Sequence, residues 1–279
     1  MSSKLSSLNR KNTKGWSGIG VIALIYAVLF VLNYWLPLHN SNYATRIWNW
    51  SQAALTVTAL VAVAQNRSRI NPGAIFLGLI LGVISAMSHS MHDPSFIAST
   101  FEGFGVWICF LGGLALFRNL ETSVVPAFQL PLPKIGISLL IGIAVAFPLA
   151  VVNNLYFYLN AGGIQFQNIF YSAFAALSPG IHEEIIFRYF VLAMCFSLFK
   201  PGVPSQLGIA ASIFLAVVPH SLNHLPDLFL QNPWMGLFML IATSLLFGLP
   251  MALLQLKRNL ETAIAFHWFI DFMRFLFGF

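Results

Sequence analysis

Two glutamates and one arginine lie in an apolar segment of the C-terminal half, where charged side chains are costly. Glu183, Glu184 and Arg188 belong to the sequence Ile181–Arg188, and ionisable residues in such surroundings are candidates for function. On a helix, Glu184 and Arg188 share a face and can pair because they are four residues apart. Glu183 points about 100° away and is available as a general base. The alternative is an acid–base pair that only locks two helices together.

A pair of histidines ends a second apolar segment. His220 and His224 are four residues apart, so they also share a helical face. Two imidazoles at this spacing can bind a metal ion. However, the zinc-protease signature HExxH is absent, because Ile186 stands where the second histidine would follow His182 and Glu183. The alternative for either histidine is a hydrogen-bonded packing role.

A third polar pair, His267 and Asp271, lies in the last apolar segment. The aspartate can orient the imidazole through a hydrogen bond, or it can pair with Arg274 instead. In a helical bundle the three polar faces should converge, because exposing all of them to lipid would be too costly. Carboxylates and imidazoles around one cavity can activate water and stabilise the oxyanion of peptide-bond hydrolysis. The pattern therefore predicts a protease site.

The composition indicates that these elements are membrane-spanning helices. Of 279 residues, 58% are hydrophobic and 8% are charged, whereas soluble domains carry about 25% charged residues. The net charge of +6 does not indicate a nucleic-acid partner, because the basic residues lie in short intervals between apolar segments. Cys109 and Cys195 fall inside apolar segments without metal or disulfide spacing, so we interpret them as packing residues.

Segments of about 20 apolar residues, the length that spans a bilayer, predict an all-α bundle of about 8–9 transmembrane helices. One segment is too long for a single straight helix, and its sequence Ser178-Pro179-Gly180 should break or kink it. The candidate segments are residues 17–37, 47–65, 72–90, 98–117, 135–158, 167–199, 204–223, 234–256 and 260–277.

Alternate intervals between these segments carry the basic residues, as do the residues before the first one. Cytoplasmic loops of membrane proteins carry the Lys/Arg excess, which predicts a cytoplasmic N-terminus, and we expect a bacterial inner membrane. Arg46 is the exception among the other intervals, which hold Asp93 and Asp227. The polar clusters further divide the chain into N-terminal helices, 1–134, and a functional core, 135–279, joined by a proline-containing linker at 119–134.

The order of the three motifs resembles the CPBP family, which comprises CAAX proteases and bacteriocin-processing or immunity proteins. Its members share the motifs EExxxR, FxxxH and HxxxN or HxxxD on successive membrane helices. Glu183, Glu184 and Arg188 match the first motif, and His267 with Asp271 matches the third. The resemblance covers about residues 165–275.

The second motif is imperfect. Leu225-Pro226 favours His224 as the functional histidine, which puts His220 in the phenylalanine position. Choosing His220 instead puts Ala216 in that position. After Arg188, family members commonly have glycine, whereas this chain has Tyr189.

The resemblance implies a role for each site residue. Glu183 is the general base that activates water, and His224, or alternatively His220, positions that water. Glu184 and Arg188 hold the site in shape, while His267 and Asp271 stabilise the oxyanion. The cofactor is left open: Glu183, His224 and His267 could ligate zinc, or the site could act through water alone. The implied partners are the lipid bilayer and a membrane-associated peptide or protein, for example a prenylated or leader-bearing one.

Two alternatives to an intramembrane endopeptidase follow from the same residues. The first is a family member without catalytic activity that acts as a membrane immunity or scaffold protein, which the departures at His220 and Tyr189 allow. The second is a transporter or proton relay, because chains of intramembrane Glu, His and Asp also mark ion paths. The absence of an internal repeat argues against a transporter.

Overall fold

A computed structural model describes residues 2–37, 42–118, 132–161, 163–199 and 204–279. This part of the chain is helical and contains no β-strand. The α-helices are α1 Ser2–Trp35, α2 Tyr43–Gln65, α3 Pro72–His89, α4 Phe96–Phe117, α5 Leu132–Ala161, α6 Ile169–Ala175, α7 Leu177–Glu183, α8 Val191–Ser197, α9 Gln206–Asn223, α10 Pro226–Gln231, α11 Pro233–Thr243, α12 Leu249–Lys257 and α13 Leu260–Leu276.

Seven helices are long and apolar enough to cross a membrane, which confirms the all-α polytopic fold. They correspond to α1 to α5, α9 and the continuous helix of α11 and α12. Helix α4 lies at the centre of the bundle, since 72% of its most apolar window is buried, compared with 11% for α1. The outer helices expose Leu, Val, Ile and Phe side chains along one face, as expected of surfaces that contact lipid.

The predicted break in the segment 167–199 lies at Ala176, between α6 and α7, just before the predicted Ser178-Pro179-Gly180. Pro179 lies in the first turn of α7 and has no N–H to donate to the carbonyl group of Ala175. Ser88 of α3 lies at this gap. Its hydroxyl is 2.7 Å from Phe174 O and 3.0 Å from Ala175 O, and it accepts a 2.7 Å hydrogen bond from Ser178 N. A neighbouring helix thus satisfies the backbone groups that the proline frees.

Two π-helical segments interrupt the α-helical pattern, and the sequence analysis did not predict them. Glu184–Phe190 connects α7 to α8, and Ser244–Gly248 connects α11 to α12 just before Pro250. Short π-helical segments occur often at functional sites, because the wider turn changes the direction of the side chains that follow. The first segment contains Glu184 and Arg188 of the predicted site.

The N-terminal helices and the C-terminal helices share one hydrophobic core. Its buried members include Ile19, Ala59 and Phe110 on the N-terminal side, together with Ile185 and Leu260 on the C-terminal side. The division at residue 134 stays a prediction. Most of the predicted linker, 119–131, lies outside the described residues, and residues 132–134 begin α5.

Candidate active site

Glu183 lies where three helical elements meet, and three imidazoles surround its carboxylate. His220 Nε2 is 2.6 Å from Glu183 Oε2. The Nε2 atoms of His267 and His224 lie 3.5 Å and 3.7 Å from the same oxygen. Helices α7, α9 and α13 with the residue after α9 therefore bring together the side chains that the three sequence motifs single out. The predicted convergence of the polar faces is present.

Arg188 fixes the hydrogen-bonding state of His220. Arg188 Nη2 lies 2.9 Å from His220 Nδ1, and a guanidinium group can only donate hydrogen bonds. His220 Nδ1 must therefore accept, so the proton of the neutral ring is on Nε2 and is donated to Glu183. The second guanidinium nitrogen, Arg188 Nη1, contacts Glu184 Oε1. One arginine thus connects both glutamates, one of them through an imidazole.

His267 lies between carboxylates on both sides of its ring. Its Nδ1 is 2.7 Å from Glu184 Oε1, while its Nε2 is 3.3 Å from Asp271 Oδ2. Asp271 also pairs with Arg274, at 3.1 Å between Oδ1 and Nη2. Both contacts that the sequence offered for Asp271 are therefore present: it contacts the imidazole of His267, and it pairs with Arg274.

His224 differs from the other two histidines in its exposure. Its side chain is 49% exposed, whereas those of His220 and His267 are buried. Trp48 of α2 packs edge-on against both His220 and His224, with ring centroids 5.4 Å and 4.8 Å apart. The sequence alone left open which histidine is the functional one. In the structure, His220 makes the short contact to Glu183 and His224 faces open space.

A cavity of about 460 Å³ adjoins these residues. Its wall includes Glu183, His220, His224, His267 and Asp271. The opposite wall consists mainly of apolar side chains from α5 and α11. An apolar cavity with a few convergent polar groups is the usual form of a binding site, so the polar cluster is accessible to a bound molecule.

The donor set of this cluster suits zinc by residue type but not by hydrogen bonding. Ligand atoms of Glu183, His220 and His224 lie within 4.8 Å of one another, and the predicted set had His267 in place of His220. A zinc-bound histidine donates its second ring N–H to an acceptor. His220 faces the donor Arg188 instead, and its Nε2 already carries the proton. The group of Glu183, His220 and His224 as arranged does not fit a zinc ion. His267, which is outside this group, does have an acceptor for its second ring nitrogen, since its Nδ1 lies 2.7 Å from Glu184 Oε1.

The comparison with known families agrees with the motifs. Residues 165–273 match the family model described as Type II CAAX prenyl endopeptidase Rce1-like. The match supports the CPBP family for this segment. No curated protein and no solved structure matches the chain. At the family level the match supports CAAX-type intramembrane protease activity, and the apolar helices indicate an integral membrane protein.

Tyr189, which stands where family members commonly have glycine after the arginine, is fully buried. The ring packs beside Phe110 and Phe117 of α4, with centroids 6.0 Å and 5.3 Å away. It also lies against Gly113, where a β-carbon would come within 2.6 Å of the ring. Tyr189 points away from the cavity, so this departure from the family motif affects packing against α4 and not the polar cluster.

Helices outside the CPBP domain contact the segment that carries its glutamates. Gln52 of α2 lies 3.0 Å from His182 Nε2, next to Glu183. The carboxylate of Glu102 in α4 accepts hydrogen bonds from Ser178 at 2.8 Å and from Ser85 at 2.6 Å. Sequence reasoning missed these residues. The sequence indicated them only weakly, because Gln52 and Glu102 each lie in an apolar segment and have no acid or histidine at helical spacing that would form a motif with them.

Proposed function

We propose that this protein is an intramembrane endopeptidase that hydrolyses a peptide bond of a membrane-associated polypeptide with water activated by Glu183. The observation that carries this proposal is the position of the Glu183 carboxylate, on the wall of the cavity and within 3.7 Å of the three imidazoles of His220, His224 and His267. A carboxylate so placed can accept a proton from a water molecule bound in the cavity.

In the first step, Glu183 removes a proton from water while the water oxygen attacks the carbonyl carbon of the peptide bond. The donation from His220 Nε2 to Glu183 Oε2 holds the carboxylate in one orientation. His224 is exposed to the cavity and positions the water molecule. No step in this scheme requires a metal ion.

In the second step, the carbonyl oxygen becomes an oxyanion that needs hydrogen-bond donors. We assign this role to His267, because Asp271 and Glu184 fix the orientation of its ring. When the ring carries both protons, its Nε2–H can donate to the oxyanion. As the tetrahedral intermediate collapses, the C–N bond breaks and Glu183 returns its proton to the leaving amine. The products are a carboxylate and a new amino terminus. Such preorganised donors commonly contribute about 10²–10³-fold to the rate.

Replacing Glu183 by glutamine tests this function. Glu183→Gln keeps the size of the side chain but removes the base, so cleavage should fall by about 10²–10⁴-fold, the usual contribution of a general base. The measurement is product formation by the purified protein in proteoliposomes, with a farnesylated CAAX peptide and an unprenylated single-span reporter as substrates.

The matched control is Asp93→Asn, which removes an exposed carboxylate outside the cavity and should leave the rate unchanged. A zinc chelator should also leave it unchanged, because His220 faces Arg188. Full activity of the Glu183→Gln variant would contradict the proposed function of this site. Inhibition by the chelator, reversed by zinc, would contradict the arrangement of His220.

A further inference from the structure

The described cations divide between two ends of the bundle, and most of them lie at one end, here called the basic face. Contacts between distant segments define this face: Arg118 Nη1 donates a 2.6 Å hydrogen bond to Arg69 O, and Trp16 packs on Phe199. Asn259 Nδ2 likewise donates to Ser138 Oγ at 2.7 Å. The cations at or near this face are Lys14, Arg67, Arg69, Arg118, Lys134, Lys257 and Arg258.

The opposite end of the bundle, here called the acidic face, carries Asp93 and Asp227. Asp227 Oδ2 lies 3.3 Å from Ala44 N, and Tyr34 OH donates a 3.0 Å hydrogen bond to Pro226 O. The residues after α3 also lie at this face, where Tyr171 OH donates a 3.1 Å hydrogen bond to Met91 O. Among the described residues, Arg46 and Arg274 are the cations at this end.

The cavity extends from the middle of the bundle towards the acidic face. On α13, which starts at the basic face, a rise of about 1.5 Å per residue places His267 roughly 10 Å and Arg274 roughly 21 Å from Leu260. Both line the cavity. On α5 the lining residues lie between Val152 and Phe157, within the last third of the helix. His224 follows the end of α9 that is farther from the basic face.

Cytoplasmic ends of membrane helices carry the excess of Lys and Arg. By this rule, the predicted cytoplasmic N-terminus puts the basic face in the cytoplasm and the acidic face on the other side of the membrane. We propose that the cavity opens to the non-cytoplasmic side and takes polypeptide segments exposed there. The substrate class is then an exported or membrane-inserted polypeptide that is exposed on the non-cytoplasmic side. This assignment of substrate rests on the proposed function.

Cysteine labelling tests the direction of the cavity. The two native cysteines, Cys109 and Cys195, are fully buried, so introduced cysteines can be labelled selectively. Ser68→Cys marks the basic face and Ser90→Cys the acidic face, since both serines are exposed. Asn153→Cys marks the wall of the cavity. Each variant of the full chain is exposed to a membrane-impermeant maleimide in spheroplasts and again after detergent lysis.

We expect the maleimide to label Ser90→Cys and Asn153→Cys in spheroplasts and Ser68→Cys only after lysis. Labelling of Ser68→Cys but not Ser90→Cys in spheroplasts would overturn the proposal, because the cavity would then face the cytoplasm. So would protection of Asn153→Cys in spheroplasts combined with its labelling in inside-out vesicles. Neither outcome depends on cleavage, so failure of this proposal is distinguishable from failure of Glu183→Gln to abolish activity.

Discussion

At the scale of single residues, the structure distinguishes the two histidines that the sequence left as alternatives for the second motif. The sequence favoured His224, because Leu225-Pro226 follows it, and placed His220 in an apolar position. Two histidines four residues apart share one helical face, so only the neighbouring helices decide which one contacts a glutamate. Arg188 makes this choice, because its guanidinium donates a hydrogen bond to His220 Nδ1. The other ring nitrogen of His220, Nε2, then contacts Glu183.

Replacing Arg188 by lysine should lower catalysis without unfolding the protein. A single ammonium group cannot make both guanidinium contacts, to Glu184 and to His220 Nδ1. Loss of one hydrogen bond to a charged group is worth about 1.5–3 kcal/mol, or about 10–150-fold in rate. The measurement is kcat for the reporter together with the unfolding temperature.

Arg258→Lys is the matched control, because Arg258 is exposed at the basic face. It should keep the rate of the unmodified protein. An Arg188→Lys variant as active as this control would show that the connection through His220 does not matter for cleavage.

At the scale of elements, the π-helical segment Glu184–Phe190 packs on α4 through the pair of Tyr189 and Gly113. A β-carbon at position 113 would lie 2.6 Å from Tyr189 Cε1, in a place where the ring has no room to move. The glycine that family members commonly have after the arginine is absent here. In its place, a glycine on the facing helix admits the larger ring.

Gly113→Ala should therefore destabilise the protein by about 1–3 kcal/mol, the usual result of overpacking a core. Thermal unfolding in detergent measures this effect. Gly20→Ala is the control, since nothing lies within 4 Å of a β-carbon at that position of α1. In the double variant with Tyr189→Leu, the penalty of Gly113→Ala should shrink. Equal unfolding temperatures for Gly113→Ala and Gly20→Ala would refute the packing argument.

The helices also show which features of the fold the sequence predicted and which it did not. Apolar length predicted the seven long helices, because lipid imposes the same requirement on each. Pro179 predicted an interruption within 167–199, but the position of the break depends on Ser88, which lies on another helix. The first π-helical segment packs against α4 and the second lies just before Pro250, and no pattern of spacing in the sequence indicated either of them.

At the scale of the whole molecule, the family match covers residues 165–273, yet helices before it complete the site. Ser88 pairs the backbone groups at the break between α6 and α7. Gln52 and Glu102 contact the same α7, which carries Glu183. The N-terminal helices carry no cluster of acids and histidines within an apolar segment of the sequence, so the sequence did not indicate their contribution to the site. A residue that supports another through backbone groups leaves no such cluster.

These contacts predict that the C-terminal helices are inactive by themselves. Expressed alone, fragment 135–279 would leave Ala175 O and Ser178 N without partners, and each unpaired buried group costs about 1–3 kcal/mol. Co-expression with fragment 1–134 should restore cleavage of the reporter, because membrane helices formed separately can associate by packing and hydrogen bonds. Ser88→Ala in the N-terminal fragment should weaken this restoration, whereas Ser90→Ala, at an exposed position near the end of the same helix, should not. Full cleavage by fragment 135–279 alone would mean that α6 and α7 hold the glutamates in place without α3.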